Sequence, residues 1–121
     1  MKKAATFIAL GVLFAAGPAS AHHPFASEFD VNAPLTLSGK VTQIEWNEPH
    51  VVVHVAVNDP SGQTRDWGFE AASPQMLEAK GWMRTTLKAG DQISVQGYRA
   101  KSEPFVAAAR MIELQIGRAH V

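Results

Sequence analysis

The stretch LTLSGKVTQIEW, residues 35–46, alternates apolar and polar side chains in two registers that do not agree. Its first half places apolar or small residues at the odd positions 35 to 41, and its second half places them at positions 44 and 46. Successive side chains of a strand point to opposite faces, so one extra residue near Thr42 and Gln43, a β-bulge, would reconcile the two halves. The stretch therefore predicts one long strand that bends across two sheets.

The segments that follow keep a period of two and predict four more strands. Residues 50–59, HVVVHVAVND, place four valines on one face, which we predict to be the core face: Val51, Val53, Val55 and Val57. After the turn DPSGQ, residues 64–72 direct Trp67, Phe69 and Ala71 inward. Residues 92–100, QISVQGYRA, and residues 106–116, VAAARMIELQI, predict the fourth and fifth strands.

One short helix interrupts the strand pattern at SPQMLEAKG, residues 73–81. Ser73 is a good N-cap, Pro74 suits the first helical position, and Gly81 suits the residue after the last turn. The cap and the stop are close together, so we expect about two turns.

The predicted order is β-β-β-α-β-β, an all-β fold with one short helix that resembles a small five-stranded OB-fold barrel. An open β-sandwich has similar content, but closure of a barrel protects the sheet edges of so small a domain. We place the barrel domain at residues 35–116 and a C-terminal tail at residues 117–121. Residues 22–34 lack a strand pattern, and we expect an N-terminal tail that wraps over the barrel or stays mobile.

The first 21 residues predict a signal peptide. Lys2 and Lys3 precede the 13-residue apolar run AATFIALGVLFAA, and Ala-Ser-Ala at positions 19–21 supplies a cleavage site. The run is shorter than the roughly 20 residues that span a bilayer, and no second such run follows. We therefore expect cleavage after Ala21, a mature chain without a transmembrane segment, and a periplasmic or otherwise secreted location.

The composition of the mature chain excludes several classes of function. Two of the 11 basic residues lie in the leader, which leaves nine against 11 acidic residues. This balance argues against nucleic acid as a partner, since phosphate backbones require basic patches. The absence of cysteine excludes disulfides, thiolate metal sites, iron–sulfur clusters and c-type haem attachment.

The histidines suggest a metal site at the mature amino terminus. Cleavage after Ala21 would free the α-amino group of His22, which could chelate one ion together with its own imidazole, in the geometry of a histidine brace. Amine and imidazole nitrogens favour Cu(II) among the first-row divalent ions. His50, after the turn WNEPH, could supply another imidazole. The predicted ligands of Cu(II) or another divalent metal are His22, His23, His50 and, as a weak oxygen ligand or hydrogen-bond acceptor, Glu48.

A second interpretation of the same residues needs no metal. His22 and His23 would then be a solvated start of the chain, and His50 a turn residue. His54 would be an exposed strand residue opposite Glu70 or Asp66. In this case the outer face around His54 and Glu70 is a candidate surface for a protein partner.

The remaining side chains point away from catalysis. Trp46, Trp67, Phe69 and Trp82 could line a ligand groove, although their alternating positions favour the core. The sequence has no nucleophile elbow, no H-E-x-x-H, no phosphate-binding glycine loop and no cysteine nucleophile. We therefore predict that the protein is not an enzyme.

Four segments together resemble a known family: AHHPFASEFD, GKVTQIEWNEPH, DWGFEAASPQMLEAKGW and LKAGDQISVQGYRAK. They are similar to an uncharacterised family of small secreted bacterial proteins, a domain of unknown function, with an AHH(S/P)F start and an EWxxPH turn. The likeness spans about residues 21 to 114. Pro24 stands where the family usually has serine, and WNEPH stands where it usually has WTNPH. The resemblance implies secretion and a compact β-barrel, and it brings no activity, cofactor or catalytic residue.

These observations predict a non-catalytic periplasmic binding or accessory domain that binds copper or another divalent metal through its mature N-terminal histidine. One alternative is a metal-free structural or protein-interaction module of the cell envelope. A third is a domain that binds a small anionic or saccharide ligand on the barrel face. The partner is accordingly a periplasmic protein or a small ligand, and the fold alone does not choose among these functions.

Overall fold

The computed structural model describes residues 28–115. Their strands and helix follow the order predicted from the sequence: β1 Phe29–Glu45, β2 Val52–Asn58, β3 Thr64–Glu70, α1 Pro74–Ala79, β4 Gln92–Ala100 and β5 Val106–Leu114. The five strands form a closed barrel in the order β1-β2-β3-β5-β4. All neighbours are antiparallel except β3 and β5, which are parallel. The predicted five-stranded OB-fold-like barrel is therefore confirmed, and the open sandwich is not formed.

Strand β1 bends at the predicted bulge. Val41 pairs with Val55 and Gln43 pairs with His54, so Thr42 is the additional residue on the β1 side. Residues 34–40 pair with β4, and residues 40–45 pair with β2. One strand thus serves two neighbours, as the change of parity in its sequence indicates.

The prediction that residues 22–34 lack strand structure is wrong for residues 29–34. Strand β1 begins at Phe29, which pairs with Ala100 and is 3% exposed. The register shifts between Phe29 and Pro34, and this irregular pairing removes the alternation by which a strand is recognised. The predicted signal peptide, residues 22–27 of the predicted tail and the C-terminal tail lie outside the described residues.

The core lies inside the barrel and is entirely apolar among the residues that the structure describes. The four valines of β2 and its leading segment are buried, as are Trp67, Phe69 and Ala71, which confirms the predicted core faces. Burial of a side chain of valine or phenylalanine size contributes roughly 1.5–3 kcal/mol. The fold is held by these inward faces, since no disulfide is available.

Helix α1 has the predicted start and end. Ser73 is the N-cap, and its hydroxyl accepts a hydrogen bond of 3.2 Å from the backbone N–H of Met76. At the other end Gly81 adopts a φ of 95°, a conformation that glycine tolerates best. Among residues 28–115, no helix has the length and apolar character that crossing a membrane requires.

Closure of the barrel depends on a short contact between β3 and β5. Only the pairs Gly68–Val106, Phe69–Ala107 and Glu70–Ala108 join these strands. Beyond Glu70 the chain turns towards β2, where Ala71 N–H donates to the Val51 carbonyl at 2.8 Å. Ala109 and residues 111–114 of β5 consequently pair with β4 alone, and Arg110 is the additional residue at the register shift between these strands.

The approach of β4 to β5 requires a glycine at position 97. Gly97 is buried at a register shift in β4, where the two backbones come together. A methyl group at this position would overlap the carbonyl oxygen of Ala108, which belongs to the backbone and cannot swing aside. Gly68, on β3, has much more space, because Val52 Cγ1 at 3.9 Å is the nearest atom that a methyl group would meet.

We expect Gly97→Ala to destabilise the protein by about 3 kcal/mol, the upper end of the usual cost of overpacking. Gly68→Ala, which adds the same methyl group to another strand of the barrel, is the matched control and should change stability by less than about 1 kcal/mol. Urea unfolding of the two variants gives the comparison. Equal stabilities would show that the close approach at Gly97 is not required.

Candidate functional site

A cleft of about 130 Å³ opens at the end of the barrel that carries α1. It lies between the segment from the end of β3 to Leu87 and residues 109–112 of β5. Of its 17 lining residues 14 are apolar, and the other three are Lys80, Arg84 and Arg110. No carboxylate lines it. The cleft is thus an apolar cavity with a cationic rim, a combination typical of ligand sites.

The end of α1 positions one wall of the cleft. Trp82 N–H donates to the Leu77 carbonyl at 2.9 Å, and Gly81 N–H donates to the Glu78 carbonyl at 3.0 Å. These two bonds form a Schellman motif, which folds the chain back over the last helical turn. Leu77 and Trp82 therefore reach the same cleft, and both stay half-buried against the core.

Three of the four methionines of the chain line the cleft. Met76 lies on α1, Met83 follows it in the loop, and Met111 lies on β5. Met83 is 61% exposed, the highest value among the exposed large apolar residues of the described chain. Methionine side chains are flexible and polarisable and adapt to ligands of irregular shape. The wall they form can therefore adjust to its occupant.

The cations of the rim have no ion-pair partner within residues 28–115. Lys80, Arg84 and Arg110 are all exposed. With no carboxylate nearby in the lining, the cleft presents an unbalanced positive charge above an apolar floor. This charge favours a negatively charged group at the mouth of the cleft.

The sequence alone indicated part of this site. Trp67 and Phe69 are core residues, as their alternation predicts. Trp46 and Trp82, by contrast, are half-buried and line the cleft. For these two residues the groove, and not the core that their alternating positions favour, is the observed location. The methionines and the three cations were missed. Their only signal was the local run KGWMR at residues 80–84, because Arg110 stands alone in β5.

The predicted metal ligands are only partly brought together. His50 Nδ1 lies 3.6 Å from Glu70 Oε1, and both side chains are half-buried. Glu48 is exposed in the turn before His50. Within residues 28–115 no group of three or more histidine, aspartate or glutamate side chains is arranged to hold a metal ion. His22 and His23 lie outside the described residues.

The prediction that His54 lies opposite Glu70 or Asp66 is wrong. Across β2 and β3, His54 faces Gly68, whereas Asp66 faces Ala56 and Glu70 faces Val52. The acidic partner of His54 is Glu45 of β1, with 2.5 Å between Nε2 and Oε2. After the bulge at Thr42 the odd residues of β1 face outward, so Glu45 becomes a diagonal neighbour of His54. His54 and Glu70 share the outer face but belong to separate pairs.

Glu70 is part of an acidic surface. Burial raises the pKa of its carboxyl, and the nearby charges of Glu28 and Glu103 raise that pKa further. The three carboxylates come from the start of the chain's described part, from β3 and from the loop between β4 and β5. His50 is the basic side chain that faces Glu70. This acidic surface is distinct from the cationic cleft, because none of these residues lines the cleft.

We expect Glu70→Gln to raise the melting temperature at pH 7. Because the folded-state pKa of Glu70 lies above the ordinary value of a glutamate, the charged form of this carboxyl destabilises the folded state at neutral pH. The stabilisation by glutamine should shrink as pH falls to 4.5 and below, where the carboxyl is protonated in both states. Glu113→Gln, which removes an exposed carboxylate of β5, is the control. A gain that does not depend on pH would contradict the assignment.

The fold is similar to that of several solved structures, among them a protein whose name describes single-stranded DNA binding. The N-terminal domain of PriB protein from Thermoanaerobacter tencongensis is 20% identical, with a TM-score of 0.52 over 69% of this chain and 97% of that one. The mitochondrial single-stranded DNA binding protein Rim1 from S. cerevisiae is 14% identical, with a TM-score of 0.50 over 68% and 92%. The S. pombe Stn1–Ten1 complex gives 15% identity and a TM-score of 0.50 over 72% and 61%. At such identities the similarity establishes the OB fold alone.

Sequence comparison identifies the family. None of the curated proteins compared with the chain matches it. One family profile, described as a family of unknown function, matches residues 9–106, which is most of the chain. This match confirms the resemblance inferred from the four segments. The chain belongs to the family of unknown function DUF6152.

Proposed function

We propose that the protein is a non-catalytic periplasmic binding domain whose ligand occupies the cleft beside α1. The ligand is an apolar group that carries a negative charge. The observation that supports this most directly is the composition of the lining, with 14 apolar residues, three cations and no carboxylate.

The two parts of the lining have different roles in binding. Apolar contact supplies affinity at about 25 cal/mol per Å² of surface removed from water. Lys80, Arg84 and Arg110 select the sign of charge and orient the ligand at the mouth. A saccharide is a poorer match, because its many hydroxyl groups would lose hydrogen bonds to water against an apolar wall. Of the small ligands considered, an amphipathic anion fits this cleft best.

Nucleic acid remains a poor match despite the names of the structural neighbours. A groove for single strands combines a continuous run of cations with exposed aromatic stacking surfaces. The mature chain predicted here has nine basic against 11 acidic residues, and Trp67 and Phe69 are buried. The three cations of the cleft surround a cavity rather than follow a strand face.

Dodecanoate, a linear carboxylate, tests the proposal by isothermal titration calorimetry with the mature protein. We expect binding of one equivalent, and a loss of about three- to tenfold in affinity in the double variant Arg84→Gln with Arg110→Gln, since each exposed charge pair contributes roughly 0.2–1 kcal/mol. Lys40→Gln, which removes an exposed cation outside the cleft, is the control and should bind like the wild type.

Dodecyltrimethylammonium, with the same chain and the opposite charge, should bind more weakly than dodecanoate. Equal affinity for the two, or no binding of either, would refute a site for apolar anions.

A second candidate function, binding of Cu(II), is supported by the position of Glu28. Glu28 is close enough to act on Glu70, which lies 3.6 Å from His50. Positions 22 and 28 are six residues apart along the chain, and an extended chain of this length spans up to about 20 Å. The chain between positions 22 and 28 is therefore long enough for the amino group of His22 to reach His50.

Copper binding is tested on mature protein whose mass confirms a start at His22. We expect one equivalent of Cu(II) with a nitrogen-rich EPR spectrum, and a loss of that spectrum in His50→Ala and in a form extended by one residue at the amino terminus. His54→Ala is the matched control, because His54 pairs with Glu45 instead. Unchanged affinity in His50→Ala or in the extended form would rule out the brace.

A further inference from the structure

We propose that the natural ligand of the cleft is an extended peptide segment that adds as a strand to the free edge of β5, residues 109–114. The inference rests on the proposed function, since it names the class of ligand for the same cleft. It identifies the partner by its chemistry: a strand with alternating apolar side chains and at least one carboxylate.

The backbone of β5 provides the edge. Its residues 106–108 pair with β3, whereas Ala109 and residues 111–114 pair with β4 alone, and Arg110 is the additional residue of a bulge between them. The N–H and C=O groups of successive residues in a strand point to opposite sides. The side of this stretch that does not face β4 therefore presents donors and acceptors to a new strand. Within the described chain no strand lies beside residues 109–114 on the side away from β4.

The chain that follows β3 does not continue along this position. After Glu70 the backbone of residues 71 and 72 is held by Val51, whose carbonyl accepts from Ala71 at 2.8 Å and whose N–H donates to Ala72 at 3.0 Å. These two bonds direct the chain into Ser73 and α1. An added strand would occupy the line that β3 would follow if it continued.

The free edge borders the cleft. Ala109, Arg110, Met111 and Ile112 all line it, so a strand placed along the edge would lie over the apolar cavity. Six residues of β5 extend about 20 Å, which is enough to pair with a strand of five or six residues. Alternate side chains of such a strand would enter the cleft and the others would face solvent.

The side chains of the cleft match a peptide of this kind. Met76, Met83 and Met111 supply a surface that adapts to different apolar side chains. Arg110 lies at the edge itself, and Lys80 and Arg84 lie on the α1 side, so carboxylates of the peptide would find cations on both sides. A linear anion uses the cavity and the charge but leaves the backbone edge unpaired. Strand addition uses all three features.

The test uses mature protein and an eight-residue peptide that alternates serine with valine or leucine and ends in two glutamates. Two matched peptides carry N-methyl groups, one on all serine nitrogens and one on all apolar-residue nitrogens. Only one of these sets faces β5 in an added strand. We expect one methylated peptide to bind at least about tenfold more weakly than the unmethylated peptide, because two or three backbone hydrogen bonds are lost. The affinity of the other methylated peptide should stay within about threefold of that of the unmethylated peptide.

Amide hydrogen exchange supplies a second measurement. The peptide should slow exchange at residues 109–114 and leave β2, which has strands on both sides, unchanged. An equal effect of the two methyl patterns, whether both peptides bind or neither does, would overturn strand addition. If dodecanoate binds and the unmethylated peptide does not, this inference fails alone. If neither binds, the proposed function fails with it.

Discussion

The three-residue parallel contact between β3 and β5 is the constraint on which the rest of the structure depends. It closes the barrel with the pairs from Gly68–Val106 to Glu70–Ala108 and then stops. Because β3 ends there, the chain is free to cross the end of the barrel as α1, and β5 continues without a neighbour on that side. The cleft lies in the space between these two diverging segments. Closure of the barrel and the cleft beside α1 thus arise from one short pairing.

Charge is segregated by the fold and not by the order of residues. The chain contains 11 basic and 11 acidic residues, and neither kind forms long runs. In three dimensions Lys80, Arg84 and Arg110 meet at the cleft. Glu28 and Glu103 lie near Glu70 at a separate surface that includes His50. A ligand approaching the domain therefore meets two surfaces of opposite sign.

Much of the fold could be predicted because its signals are local. The valines of β2 alternate strictly, Ser73 and Gly81 mark the ends of α1, and the change of parity at Thr42 reveals the bulge. Other features depend on distant pairing. The start of β1 was missed since its register shifts before Pro34, and the partner of His54 was misplaced since the bulge turns Glu45 outward. The cleft was missed because its residues come from several elements.

The methionines of the cleft give the site a chemical sensitivity of its own. Oxidation converts a thioether into a polar, chiral sulfoxide, and exposure promotes it. Met83 is 61% exposed, and it shares the apolar wall with Met76 and Met111. Oxidation of these methionines would make that wall hydrophilic while leaving the buried barrel intact. The occupancy of the cleft by the proposed ligand would then follow the redox conditions around the protein, whose chain contains no cysteine.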